Sequence, residues 1–541
     1  MVANYQHPGI YIREIPNARS IQGASTSVAA FIGTAESGPY KTPALVTSWN
    51  AYTRQFGNLT WYGFMSWAVY EFFQEGGTHC YIVRTTDSGQ GAVATASIGN
   101  ITLKAASVGI WGNSLQVCIT HGSPGKATGG GSSDQTPIFN LLVVVADSVI
   151  NPTQAPTDQA TLLLIAYVKQ NALSKTSINN SSYYVLEAYN GFTVPDASFQ
   201  TRINTHSMFI RVPTTDTMRP VNTPTPLPFN NGRNPTWDFQ GALDTLATVQ
   251  ELSLLAMPDT VGVTDDSGAA DTITQSQLAN QGLSTCQDLE SLFYVIDPPF
   301  GLNMSGVLSF KNGTPAPNSS QSGRAINSSY GALYYPWAWI FNPLSNSNVP
   351  IPPSGPVLGR YASTDTSMGV WKSPAGVTDG AMRTVTALFA QLTDSDQETL
   401  NPNGINALRN LINYGNVIYG ARTVSQHRQW TYLSVRRLFI FVEQSLKNGL
   451  QWVAFEPNDQ TLWAAVTRDI DAFLTVLWGQ GALLGAAAQE AFFITCDASN
   501  NPPQTRALGQ LYIDIGLAPV YPAEFVIIRI TQKTAVPDSG S

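Results

Sequence analysis

The ordering of apolar positions is clearest over residues 435–531. VRRLFIFVEQSLKNG sets Leu438, Phe439, Val442 and Leu446 at helical spacing, with Gly449 where a helix C-terminus belongs. QWVAFEP reads as a short buried strand stopped by Pro457. Asn458 and Asp459 are N-cap candidates for a helix whose Leu462, Val466, Ile470, Phe473 and Leu477 keep one face apolar. AFFITCD, LYIDIGLAPV and AEFVIIRITQK then read as strands. In the last run, Val526, Ile528 and Ile530 share one face, and Phe525, Ile527 and Arg529 share the other. A strand apolar on nearly both faces belongs inside a sheet. HPGIYIREIP repeats the pattern near the N-terminus, with Ile10 and Ile12 on one face and Tyr11 and Ile15 on the other. Burying such a side chain contributes roughly 1.5–3 kcal/mol. Ordering the backbone costs about 1–2 kcal/mol per residue. Neither arm therefore holds itself in place. Each requires a sheet to join, the chain's own or a neighbour's.

Elsewhere the pattern predicts alternating strands and helices. SVAAFIG (27–33) is a buried strand ahead of a Gly38–Pro39 turn, and Ser48 caps a helix in which Trp49, Tyr52 and Phe56 share a face before Gly57. A second helix over about 62–75 ends at Gly76–Gly77, and strand HCYIVRT follows. From 88 to 235, Ser, Thr, Asn, Gly and Pro dominate. IFNLLVVVAD and TLLLIAYV rise out of that stretch, which reads as an inserted, solvent-facing domain of β-rich or mixed character. LSLLAMPD, SLFYVIDPP and GALYYPWAWI then complete the sheet begun at 27–33 and 80–84, with LATVQEL and SQLANQGLSTCQDLE as helices beside them. Residues 341–360 read as a proline-rich connector, and a helix around Met382–Leu392 opens a C-terminal module. The fold class expected is α/β (α+β), multidomain, with nested insertions. The divisions are an arm (1–20), a discontinuous middle α/β domain (21–87 and 236–345), an outer variable domain (88–235), an inner module (346–510) and a C-terminal strand arm and tail (511–541).

Composition narrows the functional classes. The 541 residues suffice for about two to four domains. Charged residues make up 12%, well under the average of about 25%, while 43% are hydrophobic. So little charge on a folded chain points to surface covered by other subunits. A net charge of −8 without a basic run argues against nucleic-acid binding. Cys80, Cys118, Cys286 and Cys496 form no C-x-x-C pair and read as separate buried thiols in a reducing compartment. No apolar h-region or run of roughly 18–20 apolar residues is present, so neither a secretory signal nor a membrane span is expected.

Catalytic and cofactor chemistry finds little support. Gly125–Lys126–Ala127 lacks the Ser/Thr and the spaced Gly of a phosphate cradle. His7, His79, His121, His206 and His427 show no i, i+4 pairing, and His79–Cys80 would point to opposite faces of a strand. Asp265, Asp266 and Asp271 lack calcium-loop spacing. Asp394/Asp396 and Glu456/Asp459 sit where helix N-termini favour carboxylates, which accounts for them without acid–base work. No catalytic residue, metal or cofactor is expected. An enzyme with its site in the α/β layer or in 88–235 is the alternative; it predicts a monomer or small closed oligomer that tolerates loss of the arms.

PGIYIREIP, GASTSVAAFIG, LVTSWNAYTRQFG, SSYGALYYPWAWI, GVWKSPAG, LNPNGINALRN, VIYGARTVS, VRRLFIFVEQS, QWVAFEPND, LWGQGALLG and AEFVIIRI together resemble the contractile tail sheath family of phages and phage-like injection systems. The resemblance covers about 1–85 and 240–533 in order; 88–235 carries none. It implies strand exchange through Ile10, Tyr11, Ile12, Ile15, Phe525, Val526, Ile527, Ile528 and Ile530, each arm adding to a neighbour's C-terminal sheet. Such a heterologous contact propagates as an open helix. The implied partners are copies of the chain in stacked six-membered rings, an inner tube protein, and baseplate and terminator or cap proteins, with no nucleic acid and no membrane insertion. Assembly is expected in a bacterial cytoplasm, within a virion or contractile particle. The tube-facing candidates are Arg468, Asp469 and Asp471 on the second C-terminal helix. Arg436 and Arg437 either pair with a neighbour's carboxylates or flank a helix start.

Overall fold

The computed structural model describes residues 20–85, 91–99, 101–121, 138–193, 197–214, 220–265, 267–314, 323–525 and 527. Its centre is an eight-stranded sheet. From one edge the strands run Ala44–Val46, Cys80–Arg84, Ala29–Gly33, Leu254–Ala256, Phe293–Ile296, Gly331–Tyr335, Ile405–Leu411 and Gly415–Ile418. The central pairings are all parallel, and the two edge strands are antiparallel. Parallel strands are covered on both faces, which explains why these runs are apolar without alternation. Along Ala29–Gly33, Ala29 and Phe31 enter one core while Ala30 and Ile32 enter the other. Helices Trp49–Phe56, Phe64–Gln74 and Ser354–Ser367 cover the first face. Helices Thr272–Leu289 and Met304–Asn312 cover the second. Ser48 caps the first helix as its position predicts, through the Ala51 N–H.

Several segments fold otherwise than the local pattern predicts. Residues 341–360 are not a connector: they form strand Ser347–Ile351 and enter the helix Ser354–Ser367, which is buried from Ser354 to Ala362. Its glycines serve close approach. A Cβ at Gly355 would lie 2.5 Å from the Ala68 Cα, and one at Gly359 would lie 2.6 Å from the Glu75 Cβ. GALYYPWAWI is two strands in two sheets, Gly331–Tyr335 in the large one and Ala338–Asn342 in a three-stranded antiparallel one. The span around Met382–Leu392 supplies the third strand of that smaller sheet, Val385–Leu388, instead of a helix. LATVQEL gives only the end of a 3₁₀ turn, Asp244–Thr248. QWVAFEP is also a 3₁₀ turn, Gln451–Val453, followed by a fully exposed Phe455 at φ +70°. The large sheet continues past residue 345 into the strands at 405–418.

The inserted segment leaves and re-enters beside itself, where Ala92 and Arg233 exchange backbone hydrogen bonds of 3.1 and 3.0 Å. It contains a five-stranded and a three-stranded antiparallel sheet, with TLLLIAYV inside the helix Gln159–Gln170. It is docked on the core: Trp61 meets Tyr167 and Phe209 ring to ring, and Gln159 donates to the Val261 carbonyl at 2.6 Å.

In doubly wound sheets, ligands bind at the carboxyl ends of strands where the strand order reverses. Here that point lies between Ala29–Gly33 and Leu254–Ala256. It is filled by Asp259, which accepts from the backbone N–H groups of Thr34 and Phe64 at 2.7 Å each. Asp297 likewise accepts from Ser354 N–H at 2.8 Å. The two carboxylates tie strand ends to helix starts.

Candidate assembly interface

The C-terminal module is built on two helices. Leu433–Gly449 turns Leu438 and Val442 inward, and Gln460–Gly479, capped by the Asp459 carboxylate, turns Leu462, Val466, Ile470, Leu474 and Leu477 against them. On this pair sits a hairpin of Phe492–Thr495 and Asp514–Leu517, in the register Phe492↔Leu517 to Thr495↔Asp514. Among the described residues it is a sheet of only these two strands, and Phe493 is 61% exposed. Two strands alone are marginally stable in water. Among the described residues no further strand covers the hairpin's outer edges, and an open strand edge is a template for another strand.

The chain then leaves the hairpin for a different place. Residues 520–525 run along a cleft of about 1260 Å³ whose walls include Trp371, Arg409, Arg422 and Tyr432. Glu524 closes this run. Its carboxylate accepts from Arg422 Nε at 2.9 Å and Nη2 at 2.6 Å, from Asn401 Nδ2 at 2.6 Å, and from the Tyr432 hydroxyl at 3.0 Å. Partial burial opposes the charge, but the hydrogen bonds from Arg422 and Asn401 outweigh it and hold the Glu524 carboxyl below its ordinary range. Immediately beyond, Phe525 and Ile527 are 71% and 80% exposed. Of the other exchange positions expected, Ile10, Tyr11, Ile12, Ile15, Val526, Ile528 and Ile530 lie outside the described residues.

The polar positions separate. Arg468 and Asp471 are exposed on the Gln460–Gly479 helix. Asp469 is buried, with Arg468 reaching back to it at 3.1 Å, so it supports the exposed guanidinium and offers no outward contact of its own. Arg436 and Arg437 are consumed within the subunit. Arg437 pairs with buried Asp365 at 3.1 Å, and the Arg436 guanidinium stacks 3.4 Å from the Trp430 ring centroid. Neither is offered to a neighbour's carboxylates. Asn401, Arg422, Tyr432 and Glu524 escaped the sequence reading because up to 123 positions separate them. The one local signal was a carboxylate opening an otherwise apolar terminal run.

Among the described residues no cluster of His, Cys, Asp or Glu could hold a metal ion, and no helix is long and apolar enough to cross a membrane. All four cysteines are buried free thiols.

Residues 425–533, which carry this hairpin and the end of the arm, match the family model of the phage tail sheath C-terminal domain. The tail sheath protein of Vibrio phage KVP40 is 24% identical over 214 residues, 39% of this chain and 31% of that protein. That of Burkholderia phage BcepMu is 26% identical over 272 residues, 49% of this chain and 53% of that protein. The C-terminal part of the chain matches a tail sheath domain, and the chain is similar to contractile tail sheath proteins. It thus spans about a third to a half of these curated sheath proteins. The sheath fold itself extends along the whole chain. The contracted helical sheath of the anti-feeding prophage superposes with a TM-score of 0.54 at 22% identity, over 98% of this chain and 100% of that one. The contracted sheath of the extracellular injection system PVC gives 0.54 at 21%, over 98% and 99%.

Proposed function

We propose that this chain is the subunit of a contractile sheath, polymerising helically around an inner tube. The observation that carries the reading is the pairing of an open donor with an open acceptor. Among the described residues the hairpin 492–495/514–517 is a sheet of two strands, and Phe525 and Ile527, at the start of a terminal run that is apolar on nearly both faces, are exposed in the same module. Donated strands on the hairpin's edges would extend that sheet. Donor and acceptor surfaces differ, so the contact repeats without closing on itself pairwise.

In this scheme stacked six-membered rings assemble in a metastable extended state in the bacterial cytoplasm. The subunits then rotate as rigid bodies while the arms keep the lattice connected. Burial of further inter-subunit surface supplies the driving force, and a kinetic barrier holds the loaded state. The module 346–510 faces the tube, with Arg468 and Asp471 as its polar contacts, and 88–235 faces outward. Baseplate and terminator proteins close the two ends. The chain works without a nucleotide or metal, and the particle is a phage tail or an injection system.

The test is negative-stain electron microscopy of the purified chain, intact and lacking residues 1–20. Ribbed hollow cylinders from the intact chain alone are the expected result. A monodisperse intact chain, unchanged by the deletion, would overturn the reading and return the terminal runs to the role of ordinary edge strands.

A further inference from the structure

The root of the N-terminal arm lies on the helix Leu433–Gly449, and that of the C-terminal arm is held just ahead of its first turn. At the N-terminal side, Ile21 is buried against Gly449, whose added Cβ would lie 2.8 Å from the Ile21 side chain. Ala24 N–H donates to Ser445 Oγ at 2.9 Å, and Arg437 donates to the Thr26 carbonyl at 3.0 Å. Ser445, Arg437 and Gly449 all belong to Leu433–Gly449. At the C-terminal side, Glu524 is bound by Tyr432, the residue immediately before the first turn of the same helix. Arg422 completes the hold, and its own backbone N–H is fixed at 2.7 Å by Asn406 in the large sheet. The two roots are therefore separated by one helix of 17 residues, about 25 Å long.

This arrangement has a mechanical consequence. Asp514–Leu517 pairs with the acceptor strand of its own subunit, and residues 518–520 continue it through backbone hydrogen bonds to Ala482, Leu484 and Ala491 before Glu524 is reached. Without Glu524, tension on the arm would load those neutral backbone bonds first and then Asp514–Leu517, one hydrogen-bonded pair at a time. The Glu524 bonds lie between the arm and that strand. They are charge-assisted, a class about twice as strong as neutral hydrogen bonds. Tension arriving from the arm meets Arg422, Asn401 and Tyr432 before it reaches the hairpin.

We propose that Leu433–Gly449 is a strut that carries force from one exchange arm to the other, with Glu524 as the pin of the C-terminal arm. The helix passes the pull on to Arg437, Ser445 and the N-terminal root, bypassing the hairpin. Glu524 is a positioning residue whose work is separate from the strand pairing itself. The proposal rests on the strand-exchange reading above.

The test uses the full-length chain, wild type, Glu524→Ala and Glu524→Gln. Amide hydrogen exchange is measured over 518–525 in the soluble subunit, and cylinder length is measured before and after controlled shear. In Glu524→Ala, exchange over 518–525 is expected to rise tenfold or more while 492–495 keeps its wild-type rate. Its cylinders are expected to form but to break to less than half the wild-type length. Glu524→Gln, which keeps the shape and loses the charge, falls between, and it answers the question should the alanine variant fail to fold. Unchanged exchange over 518–525, or sheared lengths equal to wild type, would overturn the strut. A wild type that forms no cylinders sinks the polymer reading and the strut together; normal wild-type cylinders with unaffected variants sink the strut alone.

Discussion

Single residues show what the fold demands of its few charged groups. Glu71 is buried beside Glu75, and both carboxylates accept hydrogen bonds from Thr384. Burial pushes the Glu71 carboxyl up to about 8, against the Thr384 hydrogen bond and with help from the Glu75 charge. Burial likewise raises Asp259 to about 6 and Asp297 to about 7. A carboxyl whose folded value is raised contributes its full stability below its ordinary value, near 4.5 for Glu71, and loses that contribution as the pH climbs to about 8. The unassembled wild type is therefore expected to unfold at progressively lower urea concentration between pH 5 and pH 8.5. Glu71→Gln cannot ionise there. It should flatten that decline and be the more stable protein at pH 8.5, although part of the slope remains through Asp259 and Asp297. Urea titrations of both proteins at three pH values test this; equal slopes would show that Glu71 is already ionised in the folded chain.

Among the elements, helix packing and strand supply follow different rules. The Phe64–Gln74 and Ser354–Ser367 helices approach closely because Gly355 and Gly359, four residues apart, present no side chain to their partner. Gly355→Ala improves intrinsic helix propensity by up to about 1 kcal/mol. It also forces a methyl group to 2.5 Å from the Ala68 Cα, a backbone atom with little room to move. The clash is expected to win, with a net destabilisation of about 1–3 kcal/mol in chemical unfolding. A neutral or stabilising effect would mean that the helices can part. The hairpin at 492–517 obeys a different logic: among the described residues it has two strands, and its apolar side chains pack on the C-terminal helix pair.

At the scale of the molecule, the insertion is coupled to the body it interrupts. The paired backbone at Ala92 and Arg233 alone would leave it free to swing; Trp61, buried with Tyr167 and Phe209, fastens it to the core. Trp61→Ala is expected to cost about 3–5 kcal/mol. Limited proteolysis should then cut within 88–235 well before it reaches the central sheet. Cleavage beginning in the central sheet instead would show that the insertion and the body unfold as one unit.

The strands of the large sheet and the apolar faces of the helices were legible along the chain because each is a local statement. A run such as SVAAFIG is apolar without alternation since both faces are covered, and Leu462 to Leu477 keep helical spacing since one face is. The misread stretches fail for one physical reason. Proline and glycine between 341 and 360 signal a loop when judged by local propensity, but against a neighbouring helix the same glycines permit close packing. QWVAFEP has the composition of a strand but closes as a 3₁₀ turn directly after a helix. The Glu524 pin is the extreme case, since its partners come from positions 401, 422 and 432 and nothing local links them. Periodicity determined which segments bury a face. Only tertiary structure decided which faces meet, where the arms are anchored and which sheet is left open.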